Sequence, residues 1–201
     1  MTKRKRILSI DFDYFIGTDI NTRNNKFPDG VDAKPKEELE REWEYFYERY
    51  PDIRDIRVLN RLEYTKNCLL NLKRGEVLIA DSHSDIGELF PKIDRDEHLE
   101  VLHIDFHHDN YISSGSTLDC ANWVRHLMNQ RDKDNTSILW CMRPDSEKES
   151  LMGEFPYPKT EDLIIDGEFD YIFICFSPEW TPPHLYPKFL ELCRCVEHLI
   201  N

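Results

Sequence analysis

The chain has 201 residues, 40% of them hydrophobic and 12% aromatic, enough for one domain with a real core and too apolar for a disordered segment. Its formal net charge of -13 argues against a general nucleic-acid binder, whose footprint is basic, and suits a cationic substrate. The six cysteines form no CxxC pair, and no secretory signal or membrane-spanning apolar run is evident, so a reducing cytoplasm and no membrane partner are expected.

In chain order, residues 1–5 read as a solvated basic arm. "RILSIDF" (6–12) reads as the first strand, followed by "EVLIA" (76–80), "LEVLHIDF" (99–106), "SILWCM" (137–142) and "DYIFICF" (170–176). These runs are nearly continuously apolar, as in strands covered on both faces. Helices are expected at 34–50, where Pro35 and early acids mark a start, and at 57–75, with Gly75 as its stop. Two more are expected at 118–130 and 183–200. The alternation predicts a single α/β domain over 1–201, a three-layer α/β/α sandwich with a mostly parallel sheet. The long stretch 17–34, "GTDINTRNNKFPDGVDAK", has no regular pattern and reads as a lid loop over the end of the first strand.

Ligands of such sheets bind at the carboxyl edge of the strands. Strand one delivers Asp11 and Asp13 there; strand two delivers Asp81, His83 and Asp85; strand three delivers Asp105, His107, His108 and Asp109. The fourth brings Arg143 and Asp145, and the last brings Glu179. Converging carboxylates repel one another and need cations, and a carboxylate and imidazole set without thiolate suits Mn²⁺, Fe²⁺ or Mg²⁺. His103, inside strand three, is expected in the core, with His108 turned away from the metals and His126 and His198 in packing or surface roles. His184 is a minor candidate for moving protons, and the cysteines are expected to pack as small apolar groups.

These motifs carry a resemblance. "DFHHD" (105–109) matches the D-x-H-x-D motif of the arginase and agmatinase superfamily, "SIDFDYF" (9–15) matches its S-x-D-x-D motif, and "DSHS" (81–84) resembles its G-D-H-S motif. "IDFDYF" near the N-terminus and "FSPEWTPP" near the C-terminus look like the small peptide arginases of ribosomal-peptide biosynthesis, which convert arginine residues of a precursor peptide to ornithine. The order departs from typical arginases, in which the S-x-D-x-D strand comes last of the three.

The resemblance implies an arginase-like fold and two Mn²⁺ per chain. One ion would take His83, Asp105, Asp109 and Asp11; the other would take His107, Asp105, Asp11 and Asp13, with Asp105 and Asp11 bridging. It implies that Asp109 moves the proton of the attacking water to the leaving amine. Glu179 would hold the guanidinium and Trp180 would stack on it. The family's histidine after D-x-H-x-D has no counterpart; Asp119 and Asn122 of "STLDCANW" (116–123) stand at its place. Asn110 is the one loop residue that maps to the grip on a free amino acid, which favours an arginine-containing precursor peptide. Free arginine or agmatine remains the nearest alternative. A haloacid-dehalogenase-type phosphatase using Asp11 and Asp13 is another, although Phe15 stands where its motif has Thr or Val and the "DFHHD" set goes unexplained. A non-catalytic binding protein and a single-zinc deacetylase on the same fold complete the alternatives.

Overall fold

Six strands align in one all-parallel sheet. The computed structural model describes residues 3–28, 34–112, 117–146, 149–150, 153–154 and 156–200. The strands are β1 (Arg4–Asp11), β2 (Glu76–Ala80), β3 (His98–Ile104) and β4 (Thr136–Cys141), then β5 (Glu149–Ser150), β6 (Gly153–Glu154), β7 (Lys159–Thr160) and β8 (Tyr171–Cys175). The main sheet runs β2-β8-β1-β3-β4-β7, while β5 and β6 form a separate antiparallel pair. The helices are α1 (Ile20–Lys26), α2 (Lys36–Arg49), α3 (Arg61–Leu70), α4 (Trp123–Gln130) and α5 (Tyr186–Arg194). Among the described residues no helix is long and apolar enough to cross a membrane.

Period-two alternation divides each central strand between two cores. Leu8 and Ile10 of β1, Ile104 of β3, and Ile172 and Ile174 of β8 pack against Trp43 of α2, Leu62 and Leu69 of α3, and Phe189 and Leu192 of α5. On the other face, Ile7, Val101, Tyr171, Phe173 and Cys175 pack against Trp123 and Leu127 of α4 and against Ile86 and Leu89. Helical segments thus cover both faces, as the near-continuous apolar strands require. β1 lies at the centre, flanked by β8 and β3, so its carboxyl end is the most enclosed point of the edge.

Three expectations are corrected. Arg4 and Lys5 are not part of a solvated arm; they pair with His98 and Leu99 of β3, and Lys5 reaches Asp170. The helix expected at 57–75 is α3, which ends at Leu70, five positions before Gly75. That glycine instead turns the chain into β2 with φ +144°. The segment 17–34 is not an irregular loop throughout. Asp19 caps α1 by accepting the Thr22 N–H at 2.8 Å, and α1 carries a fully buried arginine, Arg23. Residues 29–33 of that segment lie outside the described residues.

At Gly75 a Cβ would approach Ile172 Cδ1 to 2.8 Å, in a backbone conformation that side chains rarely adopt. Gly75→Ala is expected to destabilise the fold by about 1–3 kcal/mol in urea unfolding. A change within about 0.5 kcal/mol would contradict this placement of the turn.

Candidate metal centre

The spacing of the motifs has a local cause. Asp11 caps the short 3-10 turn Phe12–Phe15 by accepting the Asp13 N–H at 2.9 Å. Asp105 accepts the His107 N–H at 2.7 Å in the same way. Each aspartate thereby turns the chain at the strand end and brings the residue two positions on to the same site. Ser82 does likewise at the end of β2: its side chain accepts the Ser84 N–H and starts a turn of which His83 is the first residue. Asp109 and Ser177 are the non-glycine residues with positive φ among the described residues, both at 49°. Both lie at this edge, a backbone cost tolerated where side chains must be aimed.

His83 sits at the focus. Its ring stacks between Trp123 and Phe173, with centroids at 5.1 and 5.4 Å, and its Nε2 lies 2.8 Å from Ser9 Oγ. Its Nδ1 lies 3.2 Å from Asp11 Oδ2, 3.1 Å from Asp105 Oδ2 and 3.1 Å from Asp109 Oδ2. One ring N–H cannot serve three carboxylates. Donor atoms about 2.1 Å from a shared ion, at right angles to one another, lie about 3 Å apart, which matches this set. Beside it, His107 Nδ1 is 2.9 Å from Asp13 Oδ2 and 3.9 Å from Asp105 Oδ1. Asp105 therefore offers one oxygen to each group. Three clusters could hold a cation: His83, His103, Asp105 and Asp109; Asp11, His83 and Cys175; and Asp13, Asp105 and His107.

The electrostatics agree with that geometry. Burial, then the charges of Asp109, Asp11 and Asp13, push the Asp105 carboxyl well above its ordinary range, and burial with Asp13 raises Asp11. Burial also opposes charge on Asp109, but His83 beside it, helped by His103 and His107, holds it below the usual range. Asp13 is likewise held down against burial by His107 and Arg23. Burial opposes charge on His83, yet Cys175 and Asp109 raise its pKa well above 6.5. Asp105 Oδ2 and both ring nitrogens of His103 are buried without a hydrogen-bond partner. Orphaned acceptors in a set of oxygen and imidazole donors fit a divalent cation.

All six expected ligands, Asp11, Asp13, His83, Asp105, His107 and Asp109, meet at this edge. Asp11 joins the His83 group and is not within the His107 group, so only Asp105 spans both. His103 is not a hydrogen-bonded core residue: its Nε2 faces Asp105 and Asp109 at 3.7 and 3.8 Å, and burial depresses its pKa to about 3. The ligand set is not free of thiol either, since Cys175 Sγ lies 3.3 Å from Asp11 Oδ2. Ser177 Oγ donates to the same oxygen at 2.5 Å. Both residues were legible in principle, because His103 shares a strand face with Asp105, and Cys175 lies opposite Asp11 in the β1–β8 register.

Of the remaining candidates, Trp180 borders the cluster and the others are placed outside it. Asp119 and Asn122 bond each other, with Asn122 Nδ2 donating to Asp119 Oδ2 at 2.9 Å and Asp119 N to Asn122 Oδ1 at 3.0 Å. They shape the turn into α4, and it is Trp123, the last residue of that stretch, whose Nε1 donates to Asp109 Oδ2 at 2.7 Å. Asn110 is held through its backbone, its carbonyl accepting from Arg125 and its N–H donating to His108 Nδ1. Trp180 walls a cavity of about 260 Å³ above His83, His107 and Asp109, with its ring centroid 4.6 Å from that of His107. Glu179 is buried but lines an adjoining groove of about 440 Å³, with Trp43, Asp81 and Tyr186. His184 bonds the Tyr47 hydroxyl at 2.7 Å and the Ile56 carbonyl at 3.0 Å, a structural tie between helix and loop. Arg143 grips Asp145 and the carbonyls of Ile16 and Thr18.

No protein-family model matches the chain, and comparison with curated proteins and with solved structures likewise finds no match.

The cluster predicts opposite pH trends with and without metal. His83, with its folded pKa raised, contributes stability that is complete below about pH 6.5 and is lost as pH rises through the folded value; the raised Asp11 and Asp105 act in the same sense. The melting temperature of metal-free protein should fall as pH rises above 6.5. The increase on adding Mn²⁺ should grow over the same range, because the ligands must lose their protons; at a hundredfold excess over Kd the metal should add about 2.7 kcal/mol of stability. A metal-independent melting temperature across this range would contradict the site.

Proposed function

We propose that this chain is a binuclear metal hydrolase that converts arginine side chains of a precursor peptide to ornithine with release of urea. The observation that carries this reading is the convergence of His83 Nδ1 with oxygens of Asp11, Asp105 and Asp109 at 3.1–3.2 Å, next to the His107–Asp13 pair and joined to it by Asp105. With no related protein matched, the ureohydrolase reading rests on the motif residues and on this arrangement, including its assignment to an arginase-like fold and to manganese.

Asp11, Asp13, His83, Asp105, His107 and Asp109 would hold divalent cations, which when bound would acidify a water to near-neutral pKa and offset the charge of the carboxylates. The chain's own residues do the rest. Addition of that water to the guanidinium carbon, and cleavage of the bond to the side-chain nitrogen, yields ornithine and urea. Asp109 takes the water's proton and returns it to the leaving amine. The Trp123 indole N–H fixes one Asp109 oxygen, and the left-handed backbone at Asp109 aims the carboxylate into the cavity. The Trp180 ring lies at the cavity wall, where a cation can stack on it. Among the described residues the cavity lining has no lysine or arginine to grip the carboxylate of a free amino acid, which supports a peptide-embedded substrate. The phosphatase alternative lacks such support, because Asp13, its acid/base, is fully buried and tied to Arg23 and His107.

Metal-free protein reloaded with Mn²⁺ should convert an arginine-containing peptide, detected by mass spectrometry as the arginine-to-ornithine mass change with urea release, and should leave free arginine largely untouched. Asp109→Asn should lower kcat by about 10²–10⁴-fold. Full activity of Asp109→Asn, or bound manganese with no change in either substrate, would overturn the reaction.

A further inference from the structure

The two halves of the cluster differ in one respect that their ligands do not explain. Among the described residues, no lysine or arginine hydrogen-bonds or ion-pairs with the carboxylates of the His83 half, Asp11, Asp105 and Asp109. The His107 half has a permanent cation built into it. Arg23, on α1, is fully buried; its Nη1 donates to Asp13 Oδ2 at 3.2 Å, and its Nη2 donates to the Asp13 carbonyl at 2.8 Å and the Ile16 carbonyl at 3.3 Å. The guanidinium lies 3.9 Å from the ring centroid of Phe106, and Arg143 approaches the same ring at 5.0 Å. The carboxylate oxygen that faces His107 is thus the one that Arg23 already holds.

An arginine stays charged in any protein setting, and a buried charge interacts strongly with its neighbours. A divalent cation entering between His107 and Asp13 meets this fixed positive charge across a single carboxylate oxygen. One entering at His83 meets three carboxylates, none of which is paired with Arg23.

We propose that Arg23 is a positioning and specificity residue that makes the two metal positions unequal: a divalent cation binds tightly at His83, Asp11, Asp105 and Asp109, and weakly at His107, Asp13 and Asp105. This rests on the reading of the cluster as a metal centre but not on the reaction assigned to it. Arg23 stands in for part of the second ion's charge and holds the Asp13 side chain and carbonyl in place while the weaker position is empty. α1, in the segment that sequence alone leaves as a loop, thereby sets the occupancy of the centre.

The test is a titration of the full, metal-free chain with Mn²⁺ alone, followed by the loss of the free-ion paramagnetic resonance signal. The wild type should bind one ion at least tenfold more tightly than the second. Arg23→Gln, which removes the charge and keeps a donor, should tighten the second ion and bring the two within about threefold, with the first ion unchanged. Arg23→Lys, which keeps the charge, should retain the gap. A purely structural arginine would make both variants weaken both ions alike, and that result would overturn the proposal. Two ions of equal affinity in the wild type would overturn it as well, while leaving the hydrolase reading intact. Should Arg23→Gln fail to fold by circular dichroism, Asp13→Asn decides. Loss of the second ion with the first unchanged supports the asymmetry; loss of the first overturns it. No manganese bound to the wild type would remove both this proposal and the metal centre on which it stands.

Discussion

Four carboxylates buried together at one sheet edge are the constraint on which the rest of this structure turns. Asp11, Asp13, Asp105 and Asp109 are each at most 5% exposed. Burial of several like charges is costly without compensating cations, so each neighbouring group is arranged around them. His83 is clamped between Trp123 and Phe173 to face three of the carboxylates, Arg23 is drawn into the interior to meet the fourth, and Ser177 and Trp123 spend their hydrogen bonds on Asp11 and Asp109. Even the backbone yields to the cluster, since Asp109 and Ser177 adopt left-handed conformations to point their side chains at it. A fold that needed only stability would place apolar residues here, as it does elsewhere along the same strands.

The sheet explains why the constraint can be met. A parallel arrangement aligns all strand ends in one direction, so loops from β1, β2, β3 and β8 deliver polar groups to a single place while the strands behind them remain apolar. The second cavity along this edge, the groove lined by Trp43, Asp81 and Glu179, is lined by chain neighbours of residues lining the first: Ser82 and Glu179 line the groove, and His83 and Trp180 line the metal cavity. Glu179, which the motif resemblance would have hold the guanidinium, lines the groove.

Much of this was legible in the sequence, and the parts that were not have physical causes. β1 and β8 show as apolar runs because both of their faces are covered, and the motif ligands show because side-chain-to-backbone turns fix their spacing at two residues. Arg23 left no such mark. Its helix is two turns long, polar on most of its surface, and stabilised by the ion pair with Asp13 rather than by an apolar stripe, so no hydrophobic period betrays it. α3 stops at Leu70, capped at Asn71, after Leu62 and Leu69 have reached the core, and Gly75 serves the turn into β2. Asp119 and Asn122 look like functional polar residues in sequence, yet turn-forming side chains of the same types bond locally when a helix start follows. The alternation of β3 did contain the position of His103 next to Asp105, and a reading of strand faces as well as motifs would have found it.

The account depends most on Asp105, the carboxylate shared by the two halves of the cluster. Its central claim is tested most directly by counting the manganese ions held by the wild-type chain and by Asp105→Asn after metal removal, reloading and desalting, with circular dichroism to confirm that both are folded. The account predicts that the folded wild type retains manganese and that Asp105→Asn loses it from both halves together. A folded Asp105→Asn that retains as much manganese as the wild type would show that this edge is not the metal centre.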